Sequence, residues 1–329
     1  MAESFSELTT LKVGGPIKNV VRCSTEEELV QHLSQEQNNF FILGGGSNIL
    51  GSDEGYDGTV YLFTNDSVTL EEKGSNVLIT ASAGTLWDAL VVHCVSKNLW
   101  GFENLSGIPG TVGGAVNQNI GAYGAVLAHT VQNVRVFDTK EKKICEFTKD
   151  ECAFGYRTSV FKLEQPRYVI VSAQFLLTPH GQPNLSYNDL AVQFANDPSP
   201  RISSIRSAIL GIRRRKFPDL NMYGTAGSFF LNPVVSKEEA LAFQAQYPDM
   251  PVFPLPEGGV KVPLAWILDN VINAKELRHQ GAFVWKEQAL VITTEEGATA
   301  NDVRALAKQI QKKVFEKTKI TITPEVCFI

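Results

Sequence analysis

Two glycine-rich segments are the residues of this sequence best suited to bind a ligand through the backbone. Gly44-Gly45-Gly46-Ser47-Asn48 follows the apolar run 40–43, and seven glycines lie between Gly101 and Gly124. Glycine lets a ligand approach the main chain closely and accepts positive φ angles, so successive amides can converge on phosphate oxygens. The chemistry indicated is binding of an elongated ligand that carries a pyrophosphate, with Tyr123 contributing an aromatic edge and a hydroxyl.

Each glycine segment also has a structural interpretation. The first is not a dinucleotide fingerprint, because the third glycine of that motif would fall on Ile49 and residues 52–56 predict a loop instead of a helix. No Walker loop is present. For residues 44–48, a tight turn and a phosphate-binding nest both fit the pattern. For residues 101–124, a ligand loop is favoured over a linker, because globular domains rarely leave so much backbone without side chains.

The elements that must position these segments predict a small α/β unit up to about residue 65, an α+β region after it and an α/β region toward the C-terminus, so the fold class is α+β. Ser24-Thr25-Glu26-Glu27 is a capping-box pattern in front of Leu29 and Leu33, so a helix begins there. Further helices are predicted at 86–95, 202–215, 237–246, 264–271 and 300–317. Strands are predicted at 40–43, 77–81, 131–137, 143–147, 168–177, 289–293 and 320–323, and loops at 196–200 and 224–233.

Composition excludes several classes of protein. With 329 residues, 43% hydrophobic and 20% charged, the chain can bury a sizeable core. The net charge of −5, with no face basic enough to follow a phosphate backbone, argues against nucleic acid. Five cysteines without CxxC spacing and five unclustered histidines predict neither a disulfide framework nor a metal site. Without a signal-peptide pattern or an apolar run of ~18 residues, we expect a cytoplasmic protein that does not enter a membrane.

Further motifs extend the pattern along the chain. They are 10–15 (TLKVGG), 154–162 (FGYRTSVFK), 224–233 (GTAGSFFLNP) and 324–326 (PEV). Together with the glycine segments, and in this order, they resemble the UDP-N-acetylenolpyruvoylglucosamine reductase family, also known as UDP-N-acetylmuramate dehydrogenase. Residues 184–190 are similar to the subtype with an intact tyrosine loop. The resemblance spans essentially the whole chain.

The resemblance implies an organisation of the fold. It implies a two-part FAD-binding region of the vanillyl-alcohol-oxidase/PCMH type and a C-terminal α/β substrate domain. The corresponding segments are 1–65 and 66–212 for the two FAD-binding subdomains, 213–318 for the substrate-binding domain, and 319–329 for a C-terminal strand that carries a catalytic glutamate.

The resemblance also implies an activity. The family takes a hydride from NADPH on non-covalent FAD and reduces UDP-N-acetylglucosamine enolpyruvate to UDP-N-acetylmuramate, in peptidoglycan precursor synthesis, which supports cell shape and division. We expect a monomer, although no sequence feature fixes the oligomeric state. Preference for NADPH over NADH follows from the resemblance alone.

Three residues match the family's catalytic positions. Arg157 matches an arginine that stabilises the negative charge of the enolate, a role suited to a permanently charged guanidinium. Ser228 matches the proton donor, and Glu325 matches a glutamate that helps to hold the developing charge. Taken alone, these residues would be interpreted as a surface ion pair, a turn residue and a solvated acid. Their agreement in order and local sequence makes them a site hypothesis.

The resemblance extends to binding residues. The predicted FAD contacts are Gly44, Gly45, Gly46, Ser47, Asn48, Gly110, Gly113, Gly114, Asn119, Gly121, Ala122 and Arg213. The predicted substrate contacts are Tyr123, Tyr187, Lys216, Asn232 and Gln288. Leu231 stands where the family commonly has a lysine, which puts a phosphate contact from that position in question.

Two other functions stay open at this point. An FAD-dependent oxidase on the same flavin scaffold would bind flavin without needing Ser228. A non-catalytic nucleotide-sugar-binding protein would keep the glycine segments without turnover.

Overall fold

The computed structural model describes residues 3–37, 39–255 and 258–329, and the chain divides into two compact units. The larger unit consists of Ile17–Gly46 and Asp57–Arg214, and the terminal unit consists of Met1–Pro16, Ser47–Tyr56 and Arg215–Ile329. Helices and strands occur in both units, which confirms the α+β class. The four predicted segments with boundaries after residues 65, 212 and 318 stay a prediction.

In the larger unit, a five-stranded antiparallel sheet has the order Lys143–Thr148, Val131–Asp138, Tyr168–Leu177, Asn76–Ser82 and Val68–Lys73. A three-stranded sheet has the order Ile17–Cys23, Tyr56–Phe63 and Phe40–Ile42, and its last two strands run parallel. Gly121–Ala122 and Ala125–Val126 form a short antiparallel pair. The predicted strands at 40–43, 77–81, 131–137, 143–147 and 168–177 are therefore confirmed.

The helices of the larger unit bury apolar stripes between these sheets and the glycine tract. Their bounds are Glu26–Gln35, Trp87–Ser96, Val112–Gln118, Val160–Leu163, Asn188–Gln193 and Ile202–Lys216, with 3-10 turns at Glu103–Leu105 and Leu127–His129. The Thr25 side chain accepts from the Glu28 amide, so it caps the first of these helices as its sequence predicts. Trp87 packs edge-on against Phe102 in the core, and its Nε1 donates to the Leu105 carbonyl at 2.9 Å.

The terminal unit is built around a four-stranded sheet of order Gly224–Ser228, Val291–Thr294, Ala282–Val284 and Arg278–His279. Smaller pairings join Val234–Val235, Val260–Lys261 and Phe253–Pro254, and join Ile49–Leu50 in parallel to Cys327–Phe328. Its helices are Phe5–Leu8, Lys237–Gln246, Leu264–Asn270 and Ala300–Thr318, with a 3-10 turn at Ala274–Glu276.

The helix Ala300–Thr318 shows why sequence predicts these elements well. Thr299 caps its first turn, and the two carboxylate oxygens of Asp53 accept from the amides of Ala300 and Asn301 at 2.7 and 2.8 Å. A buried stripe at 303, 306, 307, 310 and 314 fixes its inner face. Among the described residues no helix, including this one, is long and apolar enough to cross a membrane.

Three local predictions are wrong. Gly224–Ser228 is a strand, not a loop, because it pairs with Val291–Thr294. Part of the glycine tract is the helix Val112–Gln118, whose Val112, Ala115 and Val116 are buried. Residues 320–323 are not a strand, and the last strand is Cys327–Phe328.

Candidate active site

The two glycine segments lie against each other in the larger unit. A Cβ placed on Gly45 would lie 2.6 Å from the Gly110 Cα, and a Cβ on Gly44 would lie 2.8 Å from the Thr111 Oγ1. Gly46 has a φ of +61°. Close packing between the two segments therefore requires glycine at 44 and 45 even before a ligand is considered.

The backbone amides of the glycine tract are partly used inside the protein. The Gly113 amide donates to the Ala83 carbonyl at 2.9 Å, and the Val112 amide donates to the Thr85 carbonyl at 2.9 Å. The absence of a side chain at Gly113 therefore allows the tract to pack closely against Ala83. The Gly113 amide is already bonded and is not available to a phosphate. Gly114 differs, because a Cβ there would meet only the Thr111 hydroxyl, at 3.8 Å.

Asp88 anchors the start of the tract, and sequence reasoning missed it. It accepts from the Gly107 amide at 2.6 Å and from both terminal nitrogens of Arg206, at 2.6 and 2.8 Å. Burial by itself would raise the pKa of Asp88, but the hydrogen bonds from Arg206 and the Gly107 amide outweigh it, so the pKa is lowered and the carboxylate form is favoured. Acidic residues are common in the first turn of a helix, so the sequence does not indicate that Asp88 binds Arg206 and the Gly107 amide.

Arg157 lies beside the far end of the tract. Its backbone is left-handed, with φ +56°, and its guanidinium donates to the Gly121 carbonyl. Asn119 joins the two regions from the other side, since its Nδ2 donates to the Gly155 carbonyl at 2.9 Å and its Oδ1 accepts from the Ala128 amide at 3.1 Å. The structure thus brings the predicted catalytic arginine to the predicted flavin-binding residues Asn119 and Gly121.

Lys162 is a second residue that sequence reasoning left without a role. Its Nζ donates to the Arg157 carbonyl at 3.0 Å and to the Gln118 Oε1 at 2.9 Å. Ser159 caps the helix that carries Lys162, and its Oγ donates to the Asn117 carbonyl at 2.7 Å. These bonds fix the turn on which Arg157 sits.

Tyr123, Tyr187 and Arg213 also come together in the larger unit. The rings of Tyr123 and Tyr187 pack edge-on with centroids 5.1 Å apart. Arg213 is hydrogen-bonded to the Tyr123 side chain, and burial lowers the pKa of its guanidinium against the opposing influence of Tyr123 and Asp88. A partly buried guanidinium that is hydrogen-bonded to Tyr123 is suited to an anionic ligand.

In the terminal unit, Ser228 and Glu325 flank one stretch of paired backbone. Ser228 ends the strand Gly224–Ser228, the Glu325 amide donates to the Phe229 carbonyl at 2.8 Å, and Phe230 pairs with Pro324. The Asn48 Nδ2 donates to the Glu325 carbonyl at 3.2 Å. Three polar residues from separate parts of the sequence, Ser228, Glu325 and Asn48, are therefore close to one another along this paired backbone.

The remaining predicted substrate residues of the terminal unit are held by local contacts. The Asn232 Oδ1 accepts from the Leu264 amide at 2.9 Å, at the start of the helix Leu264–Asn270. Gln288 lies in the turn between Trp285 and Val291, where its amide donates to the Trp285 carbonyl at 3.2 Å. Lys216 is the last residue of the helix Ile202–Lys216.

The predicted site residues thus form two groups. The larger unit holds Gly44, Gly45, Gly46, Gly110, Gly113, Gly114, Asn119, Gly121, Ala122, Tyr123, Arg157, Tyr187 and Arg213, and the terminal unit holds Ser47, Asn48, Lys216, Ser228, Asn232, Gln288 and Glu325. In the described part of the chain, no three His, Cys, Asp or Glu residues lie close enough together to hold a metal ion.

Comparison with protein families gives two matches along the chain. A family of FAD binding domains matches residues 17–146. The C-terminal domain of UDP-N-acetylenolpyruvoylglucosamine reductase matches residues 219–329.

Curated and solved relatives extend over nearly all of the sequence. The UDP-N-acetylenolpyruvoylglucosamine reductase of Neisseria gonorrhoeae is 42% identical over 288 residues, which are 86% of this chain and 83% of the relative. The reductase of Escherichia coli O157:H7 is 35% identical over 333 residues, covering 100% and 96%. The crystal structure of the reductase from Thermus caldophilus has a TM-score of 0.71 at 24% identity and covers 100% and 98%, which shows the same fold.

Proposed function

Because this chain belongs to the UDP-N-acetylenolpyruvoylglucosamine reductase family, we propose that it takes a hydride from NADPH and that Arg157, Ser228 and Glu325 are its catalytic residues. The chain is an FAD-containing oxidoreductase of peptidoglycan precursor synthesis that acts on UDP-N-acetylglucosamine enolpyruvate. The observation that carries the activity is the identity of 35–42% to reductases along the chain, with an FAD binding domain and the reductase C-terminal domain matched in order.

The described residues of the larger unit fit a flavin nucleotide. The open backbone at Gly114, the positive φ of Gly46 and the partly buried guanidinium of Arg213 are features that an anionic, elongated cofactor can use. We assign FAD binding to these residues together with Gly44, Gly45, Ser47, Asn48, Gly110, Gly113, Asn119, Gly121 and Ala122. These residues are glycine, serine, asparagine, alanine and arginine, and we propose that they bind FAD without a covalent bond.

The catalytic roles follow from the chemistry of the side chains. When bound, FAD supplies the hydride for the terminal carbon of the enolpyruvyl ether. Negative charge then develops on the adjacent carbon and on the substrate carboxylate. Arg157, fixed by Lys162 and Asn119, stabilises that charge as a permanent cation, and Glu325 helps to hold it. Ser228 gives its hydroxyl proton to the carbon, which is far more basic than an ordinary carboxylate.

Substrate recognition is assigned to Tyr123, Tyr187, Lys216, Asn232 and Gln288. The ring of Tyr187 packs edge-on against that of Tyr123, whose backbone is held in the left-handed region with a φ of +49°. This defined position of Tyr187 supports our assignment of the chain to the subtype with an intact tyrosine loop. We assign Tyr187 and Lys216 to the nucleotide diphosphate. The flavin region is proposed to consist of subdomains 1–65 and 66–212, and the protein is proposed to be a cytoplasmic monomer.

The proposed function is tested by an anaerobic absorbance spectrum of the purified protein. We expect a yellow protein whose flavin band is bleached by NADPH and restored by UDP-N-acetylglucosamine enolpyruvate. NADH in place of NADPH measures the preference for the nicotinamide donor.

Other outcomes of this experiment favour the rivals. A flavin that is bleached by an alcohol or hydroxy acid, but is not restored by the enolpyruvyl nucleotide, would indicate an oxidase. A colourless protein that FAD cannot reconstitute would indicate a nucleotide-sugar-binding protein without turnover.

Gly114→Ala is expected to weaken FAD binding by about tenfold, ~1.4 kcal/mol, without destabilising the FAD-free protein. The added methyl group has room in the protein alone, since its nearest neighbour is the Thr111 hydroxyl at 3.8 Å, but it would occupy space needed by the cofactor. The measurements are FAD titration by fluorescence quenching and the Tm of the FAD-free protein.

Gly45→Ala is the matched control. Its methyl group would lie 2.6 Å from the Gly110 Cα, so it should lower the Tm of the FAD-free protein as well, by overpacking that costs about 1–3 kcal/mol. If Gly114→Ala kept full FAD affinity, Gly114 would have no place in the flavin site.

A further inference from the structure

Asn104 is a buried residue outside the assigned site that joins two parts of it. It lies in the 3-10 turn Glu103–Leu105 and is 1% exposed. Its Nδ2 donates to the Tyr123 carbonyl at 2.7 Å and to the Asn184 carbonyl at 2.9 Å. One side chain therefore connects the glycine tract to the loop that carries Tyr187.

The two carbonyls dictate the orientation of the Asn104 amide. The Oδ1 atom is buried and has no hydrogen-bond partner among the described residues. Turning the amide over would place this oxygen against the carbonyl oxygens of Tyr123 and Asn184, which repel it. The residue thus leaves its acceptor unpaired and directs both donor bonds to the two segments.

The loop at 184–187 is held against the tract by further bonds. The Asn184 Nδ2 donates to the Gly124 carbonyl at 3.0 Å, and its Oδ1 accepts from the amide and the hydroxyl of Ser186, at 3.1 and 2.7 Å. A Cβ on Gly124 would lie 2.6 Å from the Ser186 Oγ. A methyl group at 124 would therefore require the side chain of Ser186 to move.

From these contacts we infer that Asn104 is a positioning residue for Tyr187. By holding the Asn184 carbonyl beside that of Tyr123, it keeps the ring of Tyr187 packed against Tyr123 and ready for the nucleotide diphosphate, without contacting the substrate itself. Preorganisation of a loop improves affinity because the cost of ordering it is met before binding. The inference rests on the proposed assignment of Tyr187 as a substrate contact.

The test compares Asn104→Leu, Tyr187→Phe and the double variant in the holoenzyme. Asn104→Leu keeps a similar volume and removes both donor bonds. We expect each single variant to raise the KM for UDP-N-acetylglucosamine enolpyruvate by about tenfold, with kcat within about twofold of the wild type. If Asn104 acts through Tyr187, the double variant shows about the same KM as the worse single variant, since the two changes remove one interaction.

Trp87→Phe is the matched control. It removes a buried hydrogen bond to the neighbouring Leu105 carbonyl but none of the bonds that hold residues 184–187, so the KM should stay at the wild-type value. Asn104→Asp is an isosteric variant that keeps at most one donor and places a carboxyl oxygen against a carbonyl, so it should also raise the KM.

Gly124→Ala approaches the same loop from the tract and keeps the inference testable if the Asn104 variants do not fold. Its methyl group would meet the Ser186 Oγ at 2.6 Å, and the φ of +85° adds backbone strain at the same point, so a raised KM with unchanged FAD affinity supports the docking role, and an unchanged KM overturns it. A double variant whose KM rises by the product of the two single effects also overturns the inference, as does a Tyr187→Phe enzyme with unchanged KM. An inactive wild type would instead refute the proposed function.

Discussion

Ser228→Ala is expected to slow the reoxidation of reduced flavin by UDP-N-acetylglucosamine enolpyruvate by about 10²- to 10⁴-fold, the usual contribution of a positioned proton donor. Flavin reduction by NADPH should stay within about twofold, because the hydroxyl proton is not used when the flavin accepts a hydride. The alanine removes one oxygen from the end of the strand Gly224–Ser228 and leaves the bond from the Glu325 amide to the Phe229 carbonyl in place.

The two half-reactions are measured separately by anaerobic stopped-flow absorbance of the flavin. Thr225→Val is the matched control, since it removes a buried hydroxyl from the same strand, one that donates to the Ile292 carbonyl at 2.8 Å and accepts from the Gly227 amide, next to Ser228, at 3.2 Å. It should lower stability by about 0.5–1.5 kcal/mol and leave the reoxidation rate close to that of the wild type. An equal slowing of both half-reactions in Ser228→Ala would show a structural defect and exclude the proton-donor role.

The strand that carries Ser228 also shows why part of the fold was not predictable from sequence. Residues 224–228 (GTAGS) have no apolar alternation, and glycine is unfavourable in strands. The strand forms because Thr225 and Ser228 pair with Val291–Thr294, more than sixty residues later. By contrast, Ala300–Thr318 has its cap and its buried stripe within its own sequence, so the pattern predicts it.

The glycine tract illustrates a second limit. Two adjacent glycines argue against a helix, yet Val112–Gln118 is helical because Thr111 caps it and three apolar residues are buried on one face. The number of glycines in a segment does not show whether its apolar residues will be buried in the fold. The contact between Gly45 and Gly110 was likewise invisible in sequence, although both segments were identified as candidates for ligand binding.

Positioning residues were the part of the site that sequence could not reveal. Asp88 lies outside the motifs, whereas Asn104 lies in the glycine tract and Lys162 in the segment 154–162, where neither residue type nor spacing indicates a role. Each of the three is defined by the backbone groups it meets in the fold. Many residue types can donate to a carbonyl or accept from an amide, so the residue type alone does not identify such a side chain. Arg157, Ser228 and Glu325, by contrast, lie in short segments that match family motifs, which is why they could be proposed as catalytic residues from the sequence.

Deletion of residues 327–329 is expected to lower kcat by at least about 10²-fold, the typical cost of a ~1 Å misplacement of a catalytic group. These residues fix the segment that carries Glu325. The Cys327 amide donates to the Asn48 carbonyl at 3.0 Å, the Ile329 amide donates to the Leu50 carbonyl at 3.0 Å, and the Ile329 carbonyl accepts from the Ser52 amide at 2.7 Å. Phe328 also packs edge-on against Phe229.

Without these contacts, the chain after Glu325 would lose its pairing with Asn48, Leu50 and Ser52, so the position of Glu325 would be less precisely fixed. The measurements are kcat and the flavin content of the truncated protein, and kcat is expressed per bound FAD because the deletion also removes the bond from the Cys327 amide to Asn48, an assigned FAD contact. Full-length Glu325→Gln serves as the comparison, since it removes the carboxylate charge and keeps the strand. Full-length Cys327→Ala should stay active, because it retains every backbone bond of the strand. A truncated enzyme with wild-type kcat would mean that Glu325 does not need the last strand to be positioned for catalysis.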